Sequence, residues 1–433
     1  MAPQGAAHRL LRSEARALLV RLAQMKPFAL AETMVPAAAI SPAAALAIER
    51  YLARGRRELR ARIQDFLRWI AGDGSTQSAA AAQKRMTVLR LRFNIALSQF
   101  DLFADALSQR SEPDTGIWLA GLDAVARDAL EMPGVYEAPP VICYLDRGAG
   151  AAIRRARTRL PGGGDNPVAI IRMPRERMIG SGIASSLVHE VGHQGSALLR
   201  LVPSLTTVLG GLKRGRDAAA WALWARWTSE ILADLWAVAK VGIASTMGLI
   251  AVVSLPRAFV FRITADDPHP SPWMRVLLSC ALGSALYPHP QWDRLASLWR
   301  SLYPAEGLKG EAKGLFSMLE ATMPSLVTLV VNHRPPSLGG ASLGEVLASP
   351  DREPARLAWL FQTFRASPGA MRETAPSLVF AAVGQAKADG LLGAEGESRL
   401  LSNLLKYWAL RCALGGARRS TTEATAFVAL SSH

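Results

Sequence analysis

Helical patterns dominate the chain, and a short central stretch has β character. Apolar residues recur at helical spacing in three segments near the start, at about 8–25, 42–71 and 83–110. This spacing predicts amphipathic helices that each bury one face. Two runs rich in β-branched residues, 141–145 and 168–173, are bounded by turn residues and predict short strands.

The pattern is helical again from about residue 178 onward, apart from a tail after Gly415 that we expect to be loosely structured. The whole pattern predicts a mostly α protein with a small β-sheet, an α+β fold. It further predicts an N-terminal helical region at 1–135, a central domain at 136–300 and a C-terminal helical region at 301–433.

The longest apolar stretch, 241–255, contains 15 residues. A helix needs about 20 apolar residues to cross a bilayer. We therefore expect a buried core helix here, and a helix that touches a membrane is the alternative.

Composition narrows the class of protein. Half of the 433 residues are hydrophobic and a fifth are charged, which excludes a disordered chain. The 3 cysteines are scattered and form no C-x-x-C pair, which excludes a disulfide framework and a thiolate zinc cluster. The first residues contain arginine and no uninterrupted apolar run, so no secretory signal is expected. These features predict a cytoplasmic protein, with membrane association as the alternative.

Basic residues exceed acidic residues by 15 charges, and many of the arginines lie in two runs, at 54–62 and 147–159. Such patches can bind an anionic partner or a membrane surface. Leu59, Ile63 and Phe66 are interleaved with the first run at helical spacing, which favours the solvated face of an ordinary helix. No zinc finger, RNA-binding motif or clear helix-turn-helix pattern is present, so no specific nucleic-acid partner is predicted.

The most informative motif is His189-Glu190-Val191-Gly192-His193. In a helix, residues four apart lie on one face, so His189 and His193 can hold one metal ion. Glu190 lies about 100° around the helix, where it can reach a metal-bound water as a general base. The five residues therefore predict a catalytic Zn²⁺ site.

A catalytic zinc takes three protein ligands and keeps one position open. Ser196 and Leu199 replace the glycine and the third histidine of the metzincin pattern, so the third ligand must come from elsewhere. Gluzincins take it from a glutamate on a later helix, and Glu230 is the leading candidate; the tryptophan-rich sequence around it predicts a buried helix, where an unpaired glutamate is costly. Asp234, one turn later, could accept a hydrogen bond from a zinc-bound histidine. Asp234 itself and Asp217 are the alternatives for the third ligand.

A proline-rich segment, 267–275, supplies two candidate donors to a developing oxyanion, His269 and Arg275. Tyr287 and His289 are alternatives in a nearby Y-P-H-P sequence. His269 ranks first among the four.

Three motifs occur in the order H-E-x-x-H, E-x-x-A-D-x-x-A and H-P-x-x-x-x-R, at 189–193, 230–237 and 269–275. Together they resemble the gluzincin zinc peptidases of the CAAX-prenyl endopeptidase and heat-shock membrane peptidase type. The resemblance implies a zincin-like core with zinc on His189, His193 and Glu230. It also implies Glu190 as base, Asp234 as an outer partner, and His269 with Arg275 near the substrate. It further implies that 168–173 is an edge strand that holds the substrate backbone.

The sequence thus predicts a zinc metalloendopeptidase acting on a peptide or protein substrate. Two alternatives stay open. One is a non-enzymatic zinc protein on a peptidase scaffold that binds a partner through its arginine-rich surface. The other is a membrane-associated protease, although Arg200 and the polar run at 213–217 disfavour an intramembrane site.

Overall fold

The fold is that of a computed structural model, which describes residues 3–148, 150–160, 164–175, 180, 182–213, 215–264 and 267–430, without the side chains of 3–4, 183–184 and 416–430. The first four helices are α1 (Pro3–Gln24), α2 (Pro42–Ala71), α3 (Ala79–Ser108) and α4 (Pro113–Leu130). Three strands follow, β1 (Val141–Asp146), β2 (Ala152–Arg154) and β3 (Ala169–Pro174). The predicted fold, mostly α with a small sheet, is confirmed.

The second half of the chain is helical. Its first helices are α5 (Gly182–Leu198), α6 (Leu201–Gly211), α7 (Ala218–Arg226), α8 (Thr228–Val241), α9 (Ile243–Val253), α10 (Arg257–Val260) and α11 (Pro272–Leu286). The remaining helices are α12 (Gln291–Leu302), α13 (Gly310–Val331), α14 (Leu343–Leu347), α15 (Pro354–Ala366), α16 (Pro368–Glu373), α17 (Pro376–Ala388) and α18 (Ala394–Leu430). The backbone of α18 is helical well past Gly415, so the expectation of a loosely structured tail is wrong. Alanine, leucine and arginine favour helix in this segment.

The sheet has the order β1–β3–β2, so β3 is its central strand. The expectation that 168–173 is an edge strand is therefore wrong, because β3 pairs with a neighbour on each side. A substrate backbone cannot add to those residues of β3 that are already paired on both sides. The outer positions of this sheet belong to β1 and to the three-residue β2, which the sequence pattern did not predict.

The described residues form two compact units. The first comprises Met1–Gly116, Pro139–Tyr144 and Arg154–Ile170, and the second comprises Ile117–Ala138, Leu145–Ile153 and Ile171–His433. The division at 135 and 300 stays a prediction.

In the first unit, α1, α2 and α3 bury leucine, isoleucine and phenylalanine side chains at helical spacing in one shared core. Ser41 and Ser78 cap α2 and α3 by accepting hydrogen bonds from backbone N–H groups of the first turn. Leu59, Ile63 and Phe66 are buried. Arg54, Arg57, Arg60 and Arg62 lie on the exposed side of α2.

In the second unit, α8 is buried over most of its length and packs against α5 and α9. Helix α9 occupies most of the apolar stretch 241–255 and is only 11 residues long, with seven of them buried. It is therefore a core helix, as expected. Among the described residues, α13 is the one helix long and apolar enough to cross a membrane. Core helices of soluble proteins can be equally long and apolar, so α13 alone does not show whether the protein crosses a membrane.

Candidate metal centre

Two histidines lie side by side on α5. The rings of His189 and His193 meet edge to face with centroids 4.8 Å apart, as expected for positions one turn apart. Their side chains are 13% and 15% exposed, so both rings are accessible from one side only. Glu190 lies between them in the sequence and is buried.

Glycine allows α5 to approach α8 closely. A Cβ atom at Gly192 would lie 2.9 Å from the Cα atom of Ala233 and 3.0 Å from its carbonyl oxygen. Gly195 lies against the ring of Trp236, whose indole N–H donates to the carbonyl oxygen of Ala129 at 3.0 Å. Any larger residue at 192 would push the two helix backbones apart.

This close packing brings Glu230 of α8 to both histidines. Its Oε2 atom lies 3.1 Å from Nε2 of His189, and its Oε1 atom lies 3.4 Å from Nε2 of His193. One nitrogen from each ring and one carboxylate oxygen lie within 4.8 Å of one another. Glu230, the leading candidate for the third ligand, is thus placed with the two histidines.

The far nitrogen of each ring also has a partner on α8. Nδ1 of His189 lies 2.8 Å from Oδ1 of Asp234, which can only accept, so the ring donates its Nδ1–H. Nδ1 of His193 lies 3.2 Å from the hydroxyl of Ser229. When each Nδ1 carries a proton and neither Nε2 does, both Nε2 lone pairs are available to a metal ion beside Glu230.

Arg275 of α11 also contacts the cluster, through Asp234. It donates to both oxygens of Asp234, from Nε at 2.7 Å and from Nη2 at 2.8 Å. Its Nη2 atom also lies 3.8 Å from Oε2 of Glu230. This two-pronged pairing fixes the orientation of the Asp234 carboxylate.

His269 lies in the loop before α11 and is 48% exposed. Its Nε2 atom lies 3.4 Å from Oε2 of Glu230. Its Nδ1 atom lies 2.7 Å from Oδ1 of Asp267, which also accepts the backbone N–H of His269 at 3.0 Å. Ser271 begins α11 by capping its first turn. The cap and the aspartate together hold His269 at the edge of the cluster.

Burial and neighbouring charges shift several pKa values in opposite directions. Burial alone would lower the pKa of His189, but Asp234 and the hydrogen bonds to Asp234 and Glu230 raise it to about 9. Burial and the charge of His189 lower the pKa of His193 to about 4. Burial would raise the pKa of Glu230, yet the hydrogen bond from His189 lowers it to about 2. Burial raises the pKa of Glu190 above its ordinary value.

The alternative oxyanion donors have other partners. Tyr287 is buried, and its hydroxyl donates to the carbonyl oxygen of Ala239 at 2.8 Å. His289 accepts the backbone N–H of Gln291 at the start of α12. Asp217, the alternative third ligand, is exposed just before α7. None of these contacts is with the histidine pair.

Ser229 and Asp267 are two polar partners of the cluster that were not predicted from the sequence. Each lies within two residues of a residue that was predicted, Glu230 and His269. A search for polar neighbours of the candidate ligands would have found both. Their partners could not have been predicted, because the contacts depend on how α5 packs against α8.

The donor set suits a divalent cation. Two bare nitrogens and a carboxylate that converge at close range repel one another unless a proton or a cation lies between them. Ligands bound tetrahedrally at about 2.0–2.1 Å from zinc lie about 3.3 Å apart. The two histidines approach different oxygens of Glu230, His189 at 3.1 Å from Oε2 and His193 at 3.4 Å from Oε1, and one ligand atom from each of the three residues fits within 4.8 Å. Two histidines and one glutamate also form the ligand set of several zinc hydrolases.

Comparison with protein-family models, curated proteins and solved structures finds no match for this chain.

Proposed function

We propose that the protein is a zinc-dependent metalloendopeptidase of the gluzincin type. The observation that carries the proposal is the convergence of His189, His193 and Glu230, with Glu190 beside the first histidine. A zinc site that only stabilises the fold has no use for a buried carboxylate next to its ligands. A site that hydrolyses peptide bonds needs one as a general base.

His189, His193 and Glu230 would hold the zinc, which would lower the pKa of a bound water and polarise the scissile carbonyl. Glu190 takes the proton of the attacking water and delivers it to the leaving amine. Burial supports this role because it raises the pKa of the carboxyl group and so helps the group return the proton.

His269 is the side chain best placed to stabilise the oxyanion. It is half exposed, so it can contact a substrate, and Asp267 fixes its ring through Nδ1. Its Nε2 atom then faces the cluster at 3.4 Å from Oε2 of Glu230, and it donates to the oxyanion in the imidazolium form, in which Nδ1–H pairs with Asp267 and Nε2 also carries a proton. Arg275, by contrast, donates to Asp234, and its Nη2 atom lies 3.2 and 3.3 Å from the two ring nitrogens of His189, so we assign it a positioning role for His189.

The first test is the zinc content of the purified full chain, measured by elemental analysis. We expect about one zinc per wild-type chain and none in His193→Ala. His333→Ala is a matched control, because His333 contacts Ser204 and not the cluster. No zinc in the wild type, even after zinc is supplied, would overturn the metal site.

The second test is cleavage of a peptide library by the wild type and by Glu190→Gln. The variant keeps all three ligands, so we expect unchanged zinc content and loss of hydrolysis. Full activity in Glu190→Gln would refute the assignment of the base. A zinc-loaded wild type that cleaves no peptide would favour the non-enzymatic alternative, in which the arginine-rich surface binds a partner.

A further inference from the structure

A second candidate site lies between α15, α16 and α18, in the C-terminal part of the chain. These helices enclose a cavity of about 480 Å³, within the usual range for small-molecule sites. Its floor consists of the buried side chains of Phe361, Phe364, Met371 and Leu404. Leu391, Leu392 and Leu400 continue this lining toward solvent.

The polar groups of the lining are few and carry one sign of charge. Arg365 and Arg372 are exposed, and the lining includes no carboxylate. Among the described residues, neither guanidinium pairs with an acid. Arg365 donates to the side-chain oxygen of Gln362 at 3.4 Å, and Arg372 lies 5.4 Å from the ring centroid of Tyr407.

The nearest acidic side chain of α16 is already paired. Glu373 accepts hydrogen bonds from Arg411 at 3.0 Å and from the hydroxyl of Tyr407 at 3.1 Å. The charge of Arg372 is therefore not neutralised by its neighbour in the sequence. The cavity thus combines an apolar interior with two cations available to an anion.

We propose that this cavity binds a single-chain anionic amphiphile, an alkyl chain with a carboxylate head. The chain would lie against Phe361, Phe364 and Met371, where each buried methylene is stabilising. The carboxylate would pair with Arg365 and Arg372, since guanidinium binds carboxylate through charge-assisted hydrogen bonds. The proposal does not depend on the metal centre, which involves none of these residues.

The test is calorimetric titration of the full-length protein with octanoate, decanoate and laurate, each below its micelle concentration. We expect one saturable site per chain. Affinity should increase about fourfold per added methylene, as expected for burial of the chain. Dodecanol, which has the chain of laurate without the charge, should bind at least tenfold more weakly.

Two variants separate the two halves of the site. Arg365→Gln/Arg372→Gln should weaken laurate about tenfold and leave dodecanol within twofold of the wild type. Leu400→Trp should abolish binding of both compounds by filling the cavity. Arg68→Gln/Arg300→Gln removes two exposed charges elsewhere and should leave both affinities unchanged.

Three outcomes would overturn the proposal. Equal binding of laurate to the wild type and to Arg365→Gln/Arg372→Gln would show that the arginines do not recognise the head group. Absence of saturable binding by the wild type, or unchanged binding by Leu400→Trp, would show that the cavity does not hold the chain.

Discussion

The raised pKa of His189 predicts an unusual pH dependence of stability in the metal-free protein. An ordinary histidine has a pKa of 6.5, and that of His189 is about 9 in the folded chain. Between these pH values the folded state holds a proton that the unfolded state has released. The contribution of protonated His189 to the free energy of unfolding is therefore fully present below pH 6.5 and is lost as pH rises to about 9.

The size of this loss follows from the two pKa values. At 1.36 kcal/mol per pH unit, the difference between 6.5 and about 9 corresponds to about 3 kcal/mol. The physical source is the proton shared with Asp234 and Glu230, at 2.8 and 3.1 Å from the two ring nitrogens. His193 contributes little in this range, because its pKa of about 4 leaves it neutral in the folded state and, with the ordinary value of 6.5, it is mostly neutral in the unfolded state above about pH 7.

The assay is urea unfolding in the presence of a chelator at several pH values between 6.5 and 9, for the wild type and His189→Gln. We expect the wild type to lose about 3 kcal/mol more than the variant over this range. His333→Gln is the matched control. Burial lowers the pKa of His333, so this variant should still lose stability between pH 6.5 and 9 as the wild type does. Parallel curves for the wild type and His189→Gln would refute the reasoning.

Zinc should displace the proton that His189 holds in the metal-free folded protein, because an imidazole ligand must be deprotonated. Zinc binding near pH 7.5 should therefore release about one proton, supplied by His189. Calorimetry in buffers of different ionisation enthalpy measures this number. Asp234→Asn removes the charge that raises the pKa of His189, so it should reduce the proton release. Zinc binding without proton release by the wild type would contradict the protonation state proposed for the metal-free cluster.

Two further predictions concern α8 and its contact with α5. Ser229→Ala should weaken zinc binding about ten- to hundredfold, because the variant loses the partner of His193 Nδ1. Ser229→Thr should restore the affinity. Competition with a chelator measures the zinc affinity of both variants. Gly192→Ala should reduce the free energy of unfolding by about 1–3 kcal/mol, measured by urea unfolding, because its methyl group would meet the backbone of Ala233. Gly211→Ala, where a Cβ meets nothing within 4 Å, is its control and should change stability by less than about 1 kcal/mol.

Elements with local signals could be predicted from the sequence. The predicted helix 42–71 corresponds to Pro42–Ala71, because Ser41-Pro42 starts it and Gly72 ends it. The predicted strands 141–145 and 168–173 correspond to Val141–Asp146 and Ala169–Pro174. Periodicity and turn residues are properties of neighbouring positions, so these helices and strands can be predicted without knowing the tertiary packing.

Features that depend on distant segments could not be predicted. The central position of β3 is set by which strands pair, and the sequence of a six-residue strand does not encode its neighbours. The pairing of Arg275 with Asp234, 41 residues away, likewise depends on how α11 packs against α8. Glu230 was selected because gluzincins take a glutamate from a later helix, and the tryptophan-rich sequence around it implied burial, where an unpaired carboxylate is costly.

One helix supplies or orients most side chains of the candidate metal centre. Helix α8 supplies Glu230 and the two side chains, Ser229 and Asp234, that orient the histidines of α5. The geometry of the cluster therefore depends on the separation of α5 and α8, which Gly192 keeps small. It follows that Gly192→Ala should lower zinc affinity together with stability. Ser229→Ala should lower zinc affinity with little change in the stability of the metal-free protein, since it removes one hydrogen bond and leaves the helix contact intact.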